Sequence, residues 1–219
     1  MFTPGRIIAL FVAGGLGLAL CDQIHVQSGV LDYETGGFFG QGWWVPLQFG
    51  FAALAIVAGA APFARRRAKP GAAAFLTGTL WFLAAYAASG LFDAHPYALA
   101  AAFVVTWALR VALARQPAPL VAFSLLLAAA GTGAEAILSA AGTFAYANPD
   151  LLGVPIWLPG LYLHGAPLAL ALSRALSEPR GTRSTPAGAA APGAPPPATV
   201  AEGGAEAQEI SAPPHGRLR

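Results

Sequence analysis

The chain has 219 residues, 56% of them hydrophobic and only 10% charged, with a mean hydropathy of +0.59. A soluble domain carries roughly a quarter charged residues, so this chain lacks the charge to solvate a soluble surface and is too short to bury apolar helices on every face. Its pI near 9.0 comes from basic residues that flank apolar stretches, as expected of loops against an anionic leaflet and not of a nucleic-acid surface.

A membrane-crossing helix needs roughly 20 predominantly apolar residues. Six stretches qualify, at about 7–27, 43–63, 71–92, 96–113, 119–138 and 156–176. The first turns polar at its end, with Asp22, Gln23, His25 and Gln27. Leu18-Ala-Leu-Cys21 within it resembles a lipoprotein signal, but Leu20 stands where a small residue is required and further apolar spans follow, so cleavage is not expected. Cys21 is the only cysteine, which excludes an intramolecular disulfide. The second span opens on Trp43-Trp44-Val-Pro46 and carries Gln48; the third carries Trp81 and Phe82. The fourth follows so closely that the two form an antiparallel hairpin, with Pro96 in a first turn that tolerates its missing N–H. Phe103 lies in the fourth span and Glu135 near the end of the fifth. The sixth contains Trp157, Pro159, His164 and Pro167, the last a predicted kink. Residues 177–219 are mostly Ala, Gly and Pro, which bury too little surface to offset the entropy of ordering, so a disordered tail is expected there.

The predicted fold is therefore all-α: a six-transmembrane-helix bundle over residues 1–176, followed by the tail. With six crossings, all twelve basic residues fall on one side and the loops holding Asp32, Glu34, Asp93 and Asp150 on the other. Five or seven crossings would break that pattern, and the positive-inside rule makes the basic side, with both termini, cytoplasmic. Trp43, Trp44, Trp157 and Tyr97 then fall at the outer ends as interface anchors. Gly14, Gly15, Gly17 and Gly131 suit close helix packing in lipid. No long internal repeat stands out.

Ionisable groups at membrane depth are costly and face a cavity or a partner. Counting along the helices places Asp22, Gln23, His25, Gln48, Glu135 and His164 at similar depth, as one polar belt. Three readings of the belt stay open on the residues alone. It rims a cavity for a lipid headgroup or sterol hydroxyl; its members satisfy one another or sit in the wet interface; or it relays protons or binds a metal. The last is weakened because no His-x-x-x-His, His-Glu-x-x-His, phosphate-loop or nucleophile-elbow motif is present. No basic residue is expected deep in the spans, so a ligand there should be neutral: diacylglycerol-like, sterol or isoprenoid, against walls such as Trp81 and Phe103.

Three stretches are similar to the Insig family of six-span membrane proteins: Asp22-Gln-Ile-His-Val-Gln-Ser-Gly-Val-Leu31, Phe38-Phe-Gly-Gln-Gly-Trp-Trp-Val-Pro46, and Asn148-Pro-Asp-Leu-Leu-Gly-Val-Pro-Ile-Trp-Leu-Pro159. Trp43-Trp-Val-Pro46 and Trp157-Leu-Pro159, each opening a helix, are the most specific matches, and the resemblance covers about residues 6–176. It implies a non-enzymatic protein, without cofactor or bound metal, that binds a neutral lipid or sterol-like ligand and regulates lipid or sterol metabolism. Vertebrate members of that family sit in the endoplasmic reticulum membrane and retain an escort protein, using an aspartate near the end of the fourth helix. Here that end reads Trp107-Ala-Leu-Arg110 with no acid, which argues against an escort partner. The Ala, Gly and Pro content suits a GC-rich bacterial source, and hence a bacterial inner membrane. A proton-coupled small-molecule carrier is the alternative function, and an intramembrane metal-dependent enzyme a further one.

Overall fold

The computed structural model describes residues 3–64 and 70–177. The chain divides into two units, 1–179 and 180–219. The second, with the tail predicted to be disordered, lies outside the described residues, as do Arg65, Arg66, Arg67 and Lys69. The elements are α1 (Pro4–Gln27), β1 (Leu31–Tyr33), α2 (Val45–Ala60), α3 (Ala72–Phe92), α4 (Pro96–Ala112), α5 (Pro117–Ala140), β2 (Phe144–Tyr146) and α6 (Leu158–Leu176). Pro4, Pro96 and Pro117 open helices where a missing N–H costs nothing. Pro167 stands inside α6, where it removes a helical donor.

Helices α1, α3 and α5 are long and apolar enough to cross a membrane; α2 and α4 are shorter apolar helices of 16 and 17 residues. Large apolar side chains such as Ile8, Leu20, Leu80, Leu91, Val105 and Ile137 point outward from the bundle. Exposed apolar surface on this scale requires lipid as its solvent, so the chain is an integral membrane protein.

Two features of the topology depart from the sequence reading. The first is a two-stranded antiparallel sheet, which the all-α expectation lacked. Strand β1 pairs with β2 in the register Leu31 with Tyr146, Asp32 with Ala145, and Tyr33 with Phe144. Each strand is only three residues long and follows an apolar helix directly, so its alternation is too brief to register as a strand. The second is an internal repeat. The segment α1–β1–α2 recurs as α5–β2–α6 with a constant offset of 113 residues, Pro4 to Pro117, Leu31 to Phe144 and Val45 to Leu158. The sheet register maps onto itself under the same offset, which makes the relation two-fold.

The reason lies in shared turns. Both α1 and α5 end in a Schellman motif, with Gly29 (φ 70°) and Gly142 (φ 74°) in the left-handed conformation that an L side chain resists. In the first, Gly29 N donates to Val26 O and Val30 N to His25 O; in the second, Gly142 N donates to Ser139 O and Thr143 N to Leu138 O. Next come two matching tight turns, closed by bridges Phe38–Gln41 and Leu151–Val154, with Phe39–Gly40 and Leu152–Gly153 at positive φ. Gln23 and Gln27 each donate to Phe39 O at 2.9 Å and brace the first of these strained turns. Few side chains match across the repeat, since it is carried by backbone geometry.

Helix α6 is central and packs against α2, α3, α4 and α5, while α1 packs on α2 and α3. Trp157 corrects the expectation of an interface anchor. It is fully buried, and its Nε1 donates to Asp93 Oδ1 at 2.8 Å, while Asn148 Nδ2 donates to Asp93 Oδ2 at 2.7 Å. The indole is covered because the β2–α6 turn folds back over the end of α3. Trp43 is 73% exposed and Tyr97 69%, while Trp44 is half-buried, edge-on to Tyr33 at 5.7 Å.

The described charges segregate along the bundle. Asp32, Glu34, Asp93 and Asp150 lie at the end that carries the sheet, and Arg6, Arg110, Arg115 and Arg174 towards the opposite, basic end. There Arg6 Nη1 donates to Leu176 O at 2.9 Å and joins the start of α1 to the end of α6.

Candidate functional site

Helices α2 and α5 barely approach one another, and the wedge between them is a cavity of about 400 Å³. Its apolar wall includes Phe49, Ile56, Leu127, Ala130 and Gly131, and its polar end holds Asp22, Tyr33, Gln48, Glu135 and Tyr162. Gly131 is required in this wall, because a Cβ there would overlap the Tyr162 ring. A second cavity of about 430 Å³, among α1, α2, α3, α5 and α6, shares Phe49, Ala52, Ile56, Leu127 and Tyr162 with the first.

The two carboxyl groups come from equivalent positions of the repeat, Asp22 from α1 and Glu135 from α5. Asp22 Oδ2 accepts hydrogen bonds from Tyr33 Oη at 2.7 Å and Gln41 Nε2 at 2.8 Å. Glu135 accepts from Tyr162 Oη through Oε1 at 2.6 Å, and from Tyr146 Oη through Oε2. Burial, and then the neighbouring Asp22 carboxylate, raise the Tyr33 phenol well above its ordinary range, so it stays protonated and donating. Burial and Glu135 act on Tyr146 in the same direction. Both acids are thus engaged by the protein itself. Gln48 is not: its amide lines the cavity with no hydrogen-bond partner among the described residues. Among the described residues, no Lys, Arg or His lines this cavity.

The single polar belt of the sequence reading divides among separate places. Asp22, Gln48 and Glu135 meet in the α2–α5 cavity, whereas Gln23 is turned to the Phe39 turn. His25 is buried elsewhere, its Nε2 2.7 Å from Ser89 Oγ and its ring between Tyr86 and Trp157. His164, Trp81 and Phe103 belong to a third cavity, a groove of about 460 Å³ between α3 and α4. The divergence arises because residue counting yields depth along an axis, while the direction in which each helix faces is set by packing. The expectation of no deep basic residue is also corrected. Arg110 is half-buried and extends from α4 to His164, with Nη1 3.2 Å from Nδ1. Among the described residues, no three of His, Cys, Asp and Glu converge as a metal site requires.

No family model and no curated protein matches the chain. Solved structures share its fold. A crystal structure of the Insig homologue MvINS from Mycobacterium vanbaalenii superposes with a TM-score of 0.67 at 24% identity, covering 79% of this chain and 94% of that one. The fold is Insig-like, of the bacterial type. A cross-linked trimer of the same mycobacterial protein, carrying a cysteine substitution, aligns at a TM-score of 0.64 and 25% identity over the same shares of both chains. In this Insig-like chain, the site groups that the sequence reading missed are hydroxyl and amide donors: Tyr33, Gln41, Tyr146 and Tyr162. The 113-residue offset would have found two of them, since it pairs Asp22 with Glu135 and Tyr33 with Tyr146.

Proposed function

We propose that this protein binds a neutral, hydroxyl-bearing lipid in the α2–α5 cavity, diacylglycerol-like, sterol or isoprenoid, and acts by binding and not by catalysis. The observation that carries the reading is Gln48, a polar amide without a protein partner in an apolar wedge. A half-buried amide against apolar walls gains from a hydrogen-bond partner, and a ligand hydroxyl supplies both donor and acceptor. The two carboxyl groups, and the lack of any cation among the described lining residues, disfavour an anionic head. Regulation of lipid or sterol metabolism in a bacterial inner membrane is the role that this binding would serve.

Lipid extracted from gently purified protein should be enriched in one such species over the bulk membrane. Gln48→Leu should lower that enrichment roughly 5- to 150-fold, since an unpaired hydroxyl in a dry cavity costs about 1–3 kcal/mol. His164→Leu, in the separate groove, should leave it unchanged. A lipid profile that matches the bulk membrane and ignores Gln48→Leu would refute the assignment. The paired Asp22 and Glu135 in one cavity favour proton-coupled transport as the second reading. Flux driven by a pH gradient in liposomes would establish that reading in place of the first.

The orientation proposed for the chain puts the basic end in the cytoplasm after six crossings. Reporters fused after Gln116 and in the tail should read cytoplasmic, and one between Leu31 and Gly37 the opposite side. A basic loop reporting from outside would overturn the six-crossing topology.

A further inference from the structure

The groove between α3 and α4 shares no lining residue with the α2–α5 cavity, and its groups call for a different ligand. Its walls are apolar, built largely from Ala84, Ala88, Ala98 and Ala102. His95 stands at the outer end, beside the α3–α4 turn. The remaining polar groups gather at the other end. Trp81 and His164 stack there, with centroids 5.8 Å apart and planes within 8°. Thr106 Oγ1 lies 3.1 Å from His164 Nε2. Arg110, one turn further along α4, lays its guanidinium 5.3 Å over the Trp81 ring and 3.2 Å from His164 Nδ1.

The charge on Arg110 is unanswered. A guanidinium carries five donors in a planar fork and does not lose its proton in a protein. Among the described residues it meets an indole face and one imidazole nitrogen, and it forms no ion pair with a carboxylate. An arginine near a helix end ordinarily snorkels to water, which is the cheap solution in lipid. This one reaches instead towards Trp81, near the middle of α3. A half-buried cation without a counter-ion, held against Trp81 and His164 where they line the inner end of an apolar groove, describes a receptor for an amphiphilic anion.

We propose that the groove binds one long-chain fatty acid. Its carboxylate sits on Arg110, and its acyl chain runs between α3 and α4 towards His95. The dimensions agree: the groove holds about 460 Å³. The α4 residues that line it, His95 to Thr106, span about 16 Å at 1.5 Å per residue, enough for the larger part of one extended fatty-acid chain. One guanidinium matches the single charge and planar shape of a carboxylate, whereas a phosphate monoester would require further donors. This assignment is independent of the neutral-lipid cavity.

The test uses the full-length protein in detergent, read by native mass spectrometry with three probes: oleate, methyl oleate and dioleoyl phosphatidate. Oleate should bind once per chain, with methyl oleate and phosphatidate each about tenfold weaker or more. Arg110→Gln should reduce oleate to the level of the methyl ester. Ala98→Trp, on the open wall and away from the arginine, should block oleate even if the arginine variant fails to fold. Gln48→Leu should leave oleate unchanged, so failure of the neutral-lipid reading is seen separately. Folded wild-type protein that ignores oleate would overturn the proposal. So would equal binding of oleate and its methyl ester, tighter binding of phosphatidate, or indifference to Ala98→Trp. Oleate binding only by monomer, and never by an assembled form in the same spectrum, would assign the groove to a second copy of the chain and overturn it as well.

Discussion

Trp157→Ala is expected to cost more stability than any other substitution considered for this bundle. The indole is fully buried, tilted against His25 at 5.4 Å and edge-on to Tyr146 at 6.2 Å. Emptying such a site costs about 3–5 kcal/mol. Its N–H also answers Asp93, whose carboxyl is buried at the end of α3, and losing that donor adds about 1–3 kcal/mol. Asn148 would keep half of the Asp93 interaction, which bounds the second contribution. Thermal unfolding in detergent should rank the losses as Trp157→Ala, then Trp157→Phe, then Trp43→Ala, whose ring is 73% exposed. Equal losses for Trp157→Ala and Trp43→Ala would show that Trp157 is an interface anchor after all.

The second large effect is a reversal of sign between neighbouring glycines of α1. A Cβ on Gly15 would overlap the Pro46 carbonyl and lie 3.2 Å from Gly50 N and 3.3 Å from Gly50 Cα. These obstacles are backbone and cannot rotate away, so α1 and α2 must separate. Overpacking of this kind costs typically about 1–3 kcal/mol. Gly17 stands two residues on and would meet nothing within 4 Å. There the ordinary advantage of alanine in a helix applies, about 0.5–1 kcal/mol. Gly15→Ala should therefore lower the melting temperature and Gly17→Ala raise it slightly, in the same detergent. Shifts of the same sign would mean that α1 and α2 are not in backbone contact at Gly15.

The two substitutions also mark where sequence reasoning ends. The small residues of α1 are visible as a packing signal, but nothing in their order separates Gly15, pressed on α2, from Gly17, which is free. Periodicity tells which residues share a helix face, and only the neighbouring helix tells which face is covered. Trp157 fails for a related reason. An aromatic residue at the start of an apolar helix is expected at the membrane interface. Its burial depends on Asp93, 64 residues away, arriving as an acceptor at the end of α3. Trp44, its counterpart in the repeat, is only partly covered, so the local motif does not decide burial.

Read alone, the sequence determined the solvent, the number of helices and, within two to three residues, where they begin and end. These follow from local quantities: the length of apolar runs, prolines that open helices, and the charge that flanks them. It also supplied the motifs that mark the Insig-like fold, because Trp-Val-Pro and Trp-Leu-Pro open helices that directly follow the paired turns. The tertiary structure decided the rest. The two-stranded sheet and the 113-residue repeat depend on pairing between segments far apart in the chain. The polar residues were legible as a set at common depth, yet their division into a carboxyl–tyrosine cavity, a buried His25–Ser89 pair and an arginine-ended groove was not. Depth along a helix is a property of its own sequence, at 1.5 Å per residue. The direction in which a residue faces, and what it meets there, is settled only when six helices share one core.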